Sequence, residues 1–120
     1  MIGITISLER VYDLVKSQHK EGKRVLVDRI WPRGIKKEEL DPFLWMKEIA
    51  PSEQLRKWFN HDESKFEEFR IRYIKELGYN PEITKLKAMS IREDVVLLYG
   101  ARDRIQNNAV VLKEYIEQMD

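Results

Sequence analysis

Asp28, Arg29, Trp31 and Arg33 stand together in the run Arg24-Val25-Leu26-Val27-Asp28-Arg29-Ile30-Trp31-Pro32-Arg33-Gly34, where an apolar strand pattern passes directly into a polar loop. A guanidinium is a planar fork that matches the oxygens of a carboxylate or phosphate, and an indole offers a face on which a flat group stacks. Arg29 and Arg33, flanking the Trp31-Pro32 corner, can therefore clamp an anion while Trp31 stacks and Asp28 orients a hydroxyl or acts as a base. The same residues also fit a structural arrangement, in which Asp28 pairs with one arginine to fix the loop and Trp31 covers the core.

A second polar loop, Gly100-Ala101-Arg102-Asp103-Arg104, follows the apolar run Val95-Val96-Leu97-Leu98-Tyr99 and leads to Asn107-Asn108. Tyr99, Arg102 and Asn107 are its candidate ligand-binding groups and Asp103 its candidate acid or base. Asn107 or Asn108 lies near a helix start, where free amides and the helix dipole attract anions. As pure structure, Asp103 is a loop or cap residue, one of the asparagines an N-cap, and Arg102 and Arg104 solvated charges. His61 beside Asp62 is a third candidate, since a histidine with a carboxylate partner is a common general base. That pair equally reads as a helix linker, with Asp62 capping the next helix. His19, in a lysine-rich turn, reads as a surface residue.

Other chemistries fall away. The chain has no Cys and two His, which removes disulfides, thiolate metal sites and cysteine nucleophiles. It has no glycine-rich phosphate loop, no H-E-x-x-H and no G-x-S-x-G elbow, and no cofactor is implied. A magnesium site requires Asp28 and Asp103 to face each other at neighbouring strand ends. Lys+Arg total 22 and Asp+Glu 21, so the net charge of +1 gives no broad field for nucleic acid or an anionic bilayer. Arg70, Arg72 and Lys75 share their stretch with Glu67, Glu68 and Glu76, which cancel most of a phosphate attraction. No apolar run approaches the roughly 20 residues that span a bilayer. The missing cysteines and signal-peptide pattern predict a cytoplasmic protein.

The elements that must position these groups follow from periodicity. Ile2, Ile4, Ile6 and Leu8 alternate as a strand, Val11, Leu14 and Val15 suit a short helix or ordered loop, and Arg24 to Ile30 is a second strand. Lys36 to Leu40 suits a helical turn and Asp41-Pro42 a helix start. Ser52 is a plausible N-cap for a helix with Leu55, Trp58 and Phe59 on one face. From Glu63 to Leu77 the residues Phe66, Phe69, Tyr73, Ile74 and Leu77 form an apolar stripe, closed by Gly78. Asn80-Pro81 opens a short helix, Val95 to Tyr99 is a strand buried on both faces, and Ala109, Leu112, Ile116 and Met119 mark a last helix. These elements predict one α/β domain over residues 1–120, with a small, largely parallel sheet of about three strands flanked by helices. Both polar loops then leave C-terminal strand ends, where ligands of such sheets bind.

Taken together, Val25 to Gly34 (VLVDRIWPRG), Arg10 to Asp13, Trp45 with Ala50-Pro51-Ser52, Leu55 to Asp62 (LRKWFNHD), Phe69 to Leu77, and Leu97 to Asp103 with Asn107-Asn108-Ala109 resemble the domain-of-unknown-function 488 family, in its short YeaO-like group. The resemblance spans nearly the whole chain and carries no settled activity or agreed catalytic residues. It implies that Asp28, Arg29, Trp31, Arg33, His61, Asp62, Asp103 and Asn107 match the family motif. One departure stands out: where the family pattern tends to place His before Asn, this chain has Gln106 before Asn107. The expectation is a protein that binds a small anion, such as a phosphate, nucleotide or carboxylate compound, at the strand ends, with hydrolase or transferase chemistry as an extension. The alternative is a non-enzymatic module for nucleic acid or a protein partner.

Overall fold

Residues 5–17 and 21–119 are described by the structure, a computed structural model; Ile2, Ile4 and His19 lie outside them. Strand β1 (Ile6–Arg10) runs directly into helix α1 (Val11–Ser17), whose Val11 and Leu14 are buried. Strand β2 (Lys23–Leu26) leads through the Trp-Pro loop to the single turn α2 (Lys37–Leu40) and then to the two-residue strand β3 (Leu44–Trp45). Ser52 accepts the Leu55 amide and caps α3 (Glu53–Phe59). The Asp62 side chain accepts from the Ser64 amide, opening the 3-10 turn that feeds α4 (Phe66–Leu77). Helix α5 (Glu82–Ser90), strand β4 (Val95–Tyr99) and helix α6 (Asn108–Gln118) complete the chain, with Asn107 accepting the Val110 amide as N-cap.

The strands form one sheet in the order β1-β4-β2-β3, parallel throughout. Both neighbours of β4 pair with it from Val95, against Ile6 and Lys23 respectively. As the apolar run Val95 to Tyr99 foretells, β4 is central and every one of its residues is buried. Val25, Val27, Val95, Leu97 and Tyr99 face the larger core, packed by α3 to α6. Leu26, Val96 and Leu98 face the smaller one, packed by Val11, Leu14, Ile35 and Leu40. The apolar stripe of α4 buries Phe66, Phe69, Tyr73 and Leu77, and Phe69 stacks on Phe59 with ring centroids 4.3 Å apart.

Two expectations change. The Asp41-Pro42 segment opens no helix; the chain runs on into a fourth strand, because Leu44 and Trp45 pair with Val25 and Leu26. The second strand ends at Leu26 rather than Ile30. Val27 still donates its amide to the Leu98 carbonyl at 3.1 Å, but Asp28 then turns its carboxylate to the end of β4. Trp45 fixes this corner by donating its indole N–H to the Asp28 carbonyl at 2.7 Å. Trp45→Phe keeps most of the packing and loses that bond, so it is expected to cost about 1 kcal/mol. A urea titration with a lowered midpoint and an unchanged m-value checks this.

Candidate functional site

The loop leaving β2 passes to α2 on the side of the smaller core, whereas the loop leaving β4 passes to α6 on the side of the larger one. Where neighbouring parallel strands send their connections to opposite faces, the loops part and leave a crevice beyond the carboxyl ends. Such a crevice exists here. It has a volume of about 340 Å³ and is lined by Asp28 and Arg29 from the first loop, Ala101, Asn107 and Asn108 from the second, and Arg56, Lys57, Asn60 and His61 from the end of α3. Phe59, Pro51, Ala50 and Ile30 supply its apolar wall.

Asp28 forms the seam between the two loops. One carboxylate oxygen accepts the Gly100 amide at 2.8 Å and the other accepts the Asn108 side-chain amide at 3.1 Å. Burial holds its carboxyl above the usual carboxylate range. Those two hydrogen bonds and the nearby His61 and Arg56 pull the other way. Gly100 allows a close approach at this seam, since a Cβ there would stand 3.3 Å from the Asp28 Oδ2 and press the carboxylate back by a few tenths of an ångström.

Three permanent cations line the same crevice as this carboxylate: Arg29, Arg56 and Lys57. Arg29 donates to Glu48 at 3.0 Å and reaches the Ala50 carbonyl at 3.5 Å, and its Nε–H is buried without an acceptor. Lys57 pairs with Glu53 on the exposed side of α3. Arg56 has no hydrogen-bond or ion-pair partner for its guanidinium among the described residues, and its Nε–H is buried and unpaired as well. At the rim, Asn60 and His61 both take left-handed backbone conformations, with φ of 47° and 56°. Two successive non-glycine residues there store backbone strain of the kind that gathers at functional sites.

The structure brings Asp28, Arg29, His61 and Asn107 to the cleft. It places other sequence candidates elsewhere. Trp31 turns to the smaller core, donates its indole N–H to Ile35 at 2.8 Å and packs against Phe43 and Trp45. Arg33 is exposed, and among the described residues only its carbonyl is engaged, by the Tyr12 hydroxyl at 2.7 Å. Tyr99 is 3% exposed within the larger core and Arg102 is exposed outside the cleft lining. Asp103 accepts the Ile105 and Gln106 amides at 2.9 and 2.8 Å, which holds its carboxyl below the usual range and engages it within its own loop. No group of three or more metal-ligating side chains gathers among the described residues.

Sequence reasoning missed Arg56, Lys57 and Asn60 as lining residues. Arg56 adjoins Leu55 on the buried stripe of α3, which is the one signal that could have drawn it in.

Comparison with known proteins agrees with the family resemblance. The family model described as "Inactive DUF488-N3 subclade" matches residues 5–119. The chain belongs to this family. It is 38% identical over 117 residues to the uncharacterised protein YeaO of Escherichia coli (strain K12), covering 97% of this chain and all of that protein. Uncharacterised proteins of Mycobacterium tuberculosis and Mycobacterium bovis are each 35% identical over 111 residues, covering 92% of both chains. No solved structure matches. No helix among the described residues is long and apolar enough to cross a membrane.

The two loop carboxylates titrate with opposite effect on stability. Asp28 has a raised folded-state value, so the native state holds its proton more tightly than the unfolded chain. Its contribution therefore falls as pH rises from its ordinary 3.8 through its folded value. Asp103 is lowered, so its contribution is complete above 3.8 and lost as pH falls through its folded value. Thermal melts from about pH 3 to about pH 7 should show the advantage of wild type over Asp103→Ala shrinking in acid. Wild type should instead lose stability relative to Asp28→Asn as pH rises.

Proposed function

We propose that the cleft at the ends of β2 and β4 binds a small organic anion carrying a phosphoryl or carboxylate group, and that this chain acts as a binding module rather than a catalyst. The observation that carries the reading is the Arg56 guanidinium, which shares a cleft with Arg29 and Lys57 and has no protein acceptor among the described residues. A polar hydrogen without an acceptor in a buried position costs about 1–3 kcal/mol, and more when it belongs to a charged group. An anion seated between the two arginines accepts from the terminal N–H groups of the Arg56 guanidinium, which no protein acceptor among the described residues engages, and screens the repulsion between the two charges. The field is local, in keeping with a net charge of +1.

Binding without turnover fits the remaining side chains. Asp62, the neighbour of His61, is engaged by the Ser64 amide and hydroxyl at 3.0 and 2.7 Å rather than by an imidazole. Gln106 occupies a place where the family resemblance expects histidine, and an amide side chain neither gives nor takes a proton near neutral pH. The word "inactive" in the description of the matched subclade points the same way.

Thermal-shift titration with inorganic phosphate, pyrophosphate, phosphate monoesters and dicarboxylates tests the reading. At least one of these anions should raise Tm saturably. Arg56→Ala should weaken its binding about 10- to 100-fold, corresponding to one lost charge-assisted bond of roughly 1.5–3 kcal/mol. Arg33→Ala and Arg102→Ala, which remove arginines outside the cleft, should leave the affinity unchanged. An equal loss in all three variants would show a diffuse charge effect instead of a site, and salt-sensitive binding to mixed oligonucleotides in its place would favour the nucleic-acid alternative.

A further inference from the structure

The cleft is not uniformly cationic: beside its arginines and lysine it holds one carboxylate. Asp28 lines the same space as Arg29 and Arg56 and is fixed there by Gly100 and Asn108. A bare dianion filling this space would lie against a carboxylate. Each Asp28 oxygen accepts one protein hydrogen bond, and a carboxylate oxygen has room for a second. The floor therefore offers two adjacent acceptor positions to whatever enters. An ammonium group would answer them, but Arg29, Arg56 and Lys57 line the same cleft and oppose another cation. Neutral hydroxyls answer them without that repulsion. The volume of about 340 Å³ is far larger than a lone phosphate needs and lies at the small end of ligand sites. Phe59, Pro51 and Ala50 give a carbon skeleton an apolar wall.

We infer that the ligand is a phosphorylated polyol of sugar size, with its phosphoryl group between Arg29 and Arg56 and two neighbouring hydroxyls donating to Asp28. This deepens the anion-binding reading and rests on it. No bond is made or broken, and specificity comes from cationic donors and a carboxylate acceptor sharing one cleft.

Calorimetric titration of the wild-type protein separates the two claims with four probes: inorganic phosphate, n-butyl phosphate, O-phosphoethanolamine and ribose 5-phosphate. Ribose 5-phosphate should bind about tenfold or more tightly than butyl phosphate, which carries the same anion on a chain without hydroxyls. Phosphoethanolamine should gain nothing over butyl phosphate. Asp28→Asn should erase most of the ribose 5-phosphate advantage while leaving inorganic phosphate bound at least as well. Should that variant fail to fold, the ligand series on wild type decides alone. Butyl phosphate binding as tightly as ribose 5-phosphate overturns the polyol assignment and leaves the anion site standing. A preference for phosphoethanolamine assigns the floor to an amine. No binding of any phosphate-bearing probe removes the phosphoryl site on which the assignment rests, whatever the dicarboxylates do.

Discussion

A single carboxylate joins the carboxyl-terminal edge of the sheet. Asp28 receives the Gly100 amide from the end of β4 and the Asn108 amide from the first residue of α6, and its carbonyl receives the indole of Trp45 from β3. The ends of β2 and β4, strand β3 and the start of α6 meet at this one residue. Removing a carboxylate from water is costly, and two hydrogen bonds recover only part of the loss, as the raised proton affinity of Asp28 records. An apolar pair could close the same corner at less electrostatic cost. The carboxylate gives something an apolar pair cannot, a fixed direction for polar groups beside a cleft.

The rest of the edge follows from that seam. Strand β2 stops at Leu26, the Asp28 carboxylate takes the Gly100 amide, and the loop then runs toward the smaller core, where Trp31 finds Phe43 and Trp45. The second loop is secured from the other side. Arg10 donates to the Ala101 carbonyl at 2.8 Å, Arg104 forms a two-pronged pair with Asp13, and Asp103 closes its own turn. Exposed pairs such as Arg104 with Asp13 add little to global stability. Their effect here is to hold one loop at a fixed distance from the other, so the crevice between them has defined walls.

Much of this was legible from residue type and spacing. Ser52, Asp62 and Asn107 cap the elements that their chemistry assigns to them, and the stripe from Phe66 to Leu77 is buried as its spacing requires. Both loops do reach one sheet edge. What periodicity could not show is which side of a loop a residue takes. Trp31 and Asp28 are three positions apart and serve opposite faces, because the intervening turn reverses the chain and the indole N–H needs the Ile35 carbonyl. Strand β3 escaped because two residues carry no period, and Pro42 resembles a helix start whenever its neighbours are apolar. Arg56 escaped for a different reason: a charged residue on a short amphipathic helix reads as solvated until the fold shows what stands opposite it.

The exchange of Arg33 for Arg56 changes the physical character of the site. Two arginines on one flexible loop would move together and could relax away from each other toward solvent. Arg29 and Arg56 sit on separate elements, the first held by Glu48 and the Ala50 carbonyl, the second on a helix whose N-terminal Ser52 hydrogen-bonds to Glu76 of α4. Their separation is thereby set by the scaffold, and under the proposed reading an anion between them would meet donors that need little reordering. The left-handed pair Asn60-His61 ends the same helix and turns the chain along the cleft rim. The shape of this cleft does not depend on any proton-transfer group, since it is maintained by the hydrogen bonds that close the fold.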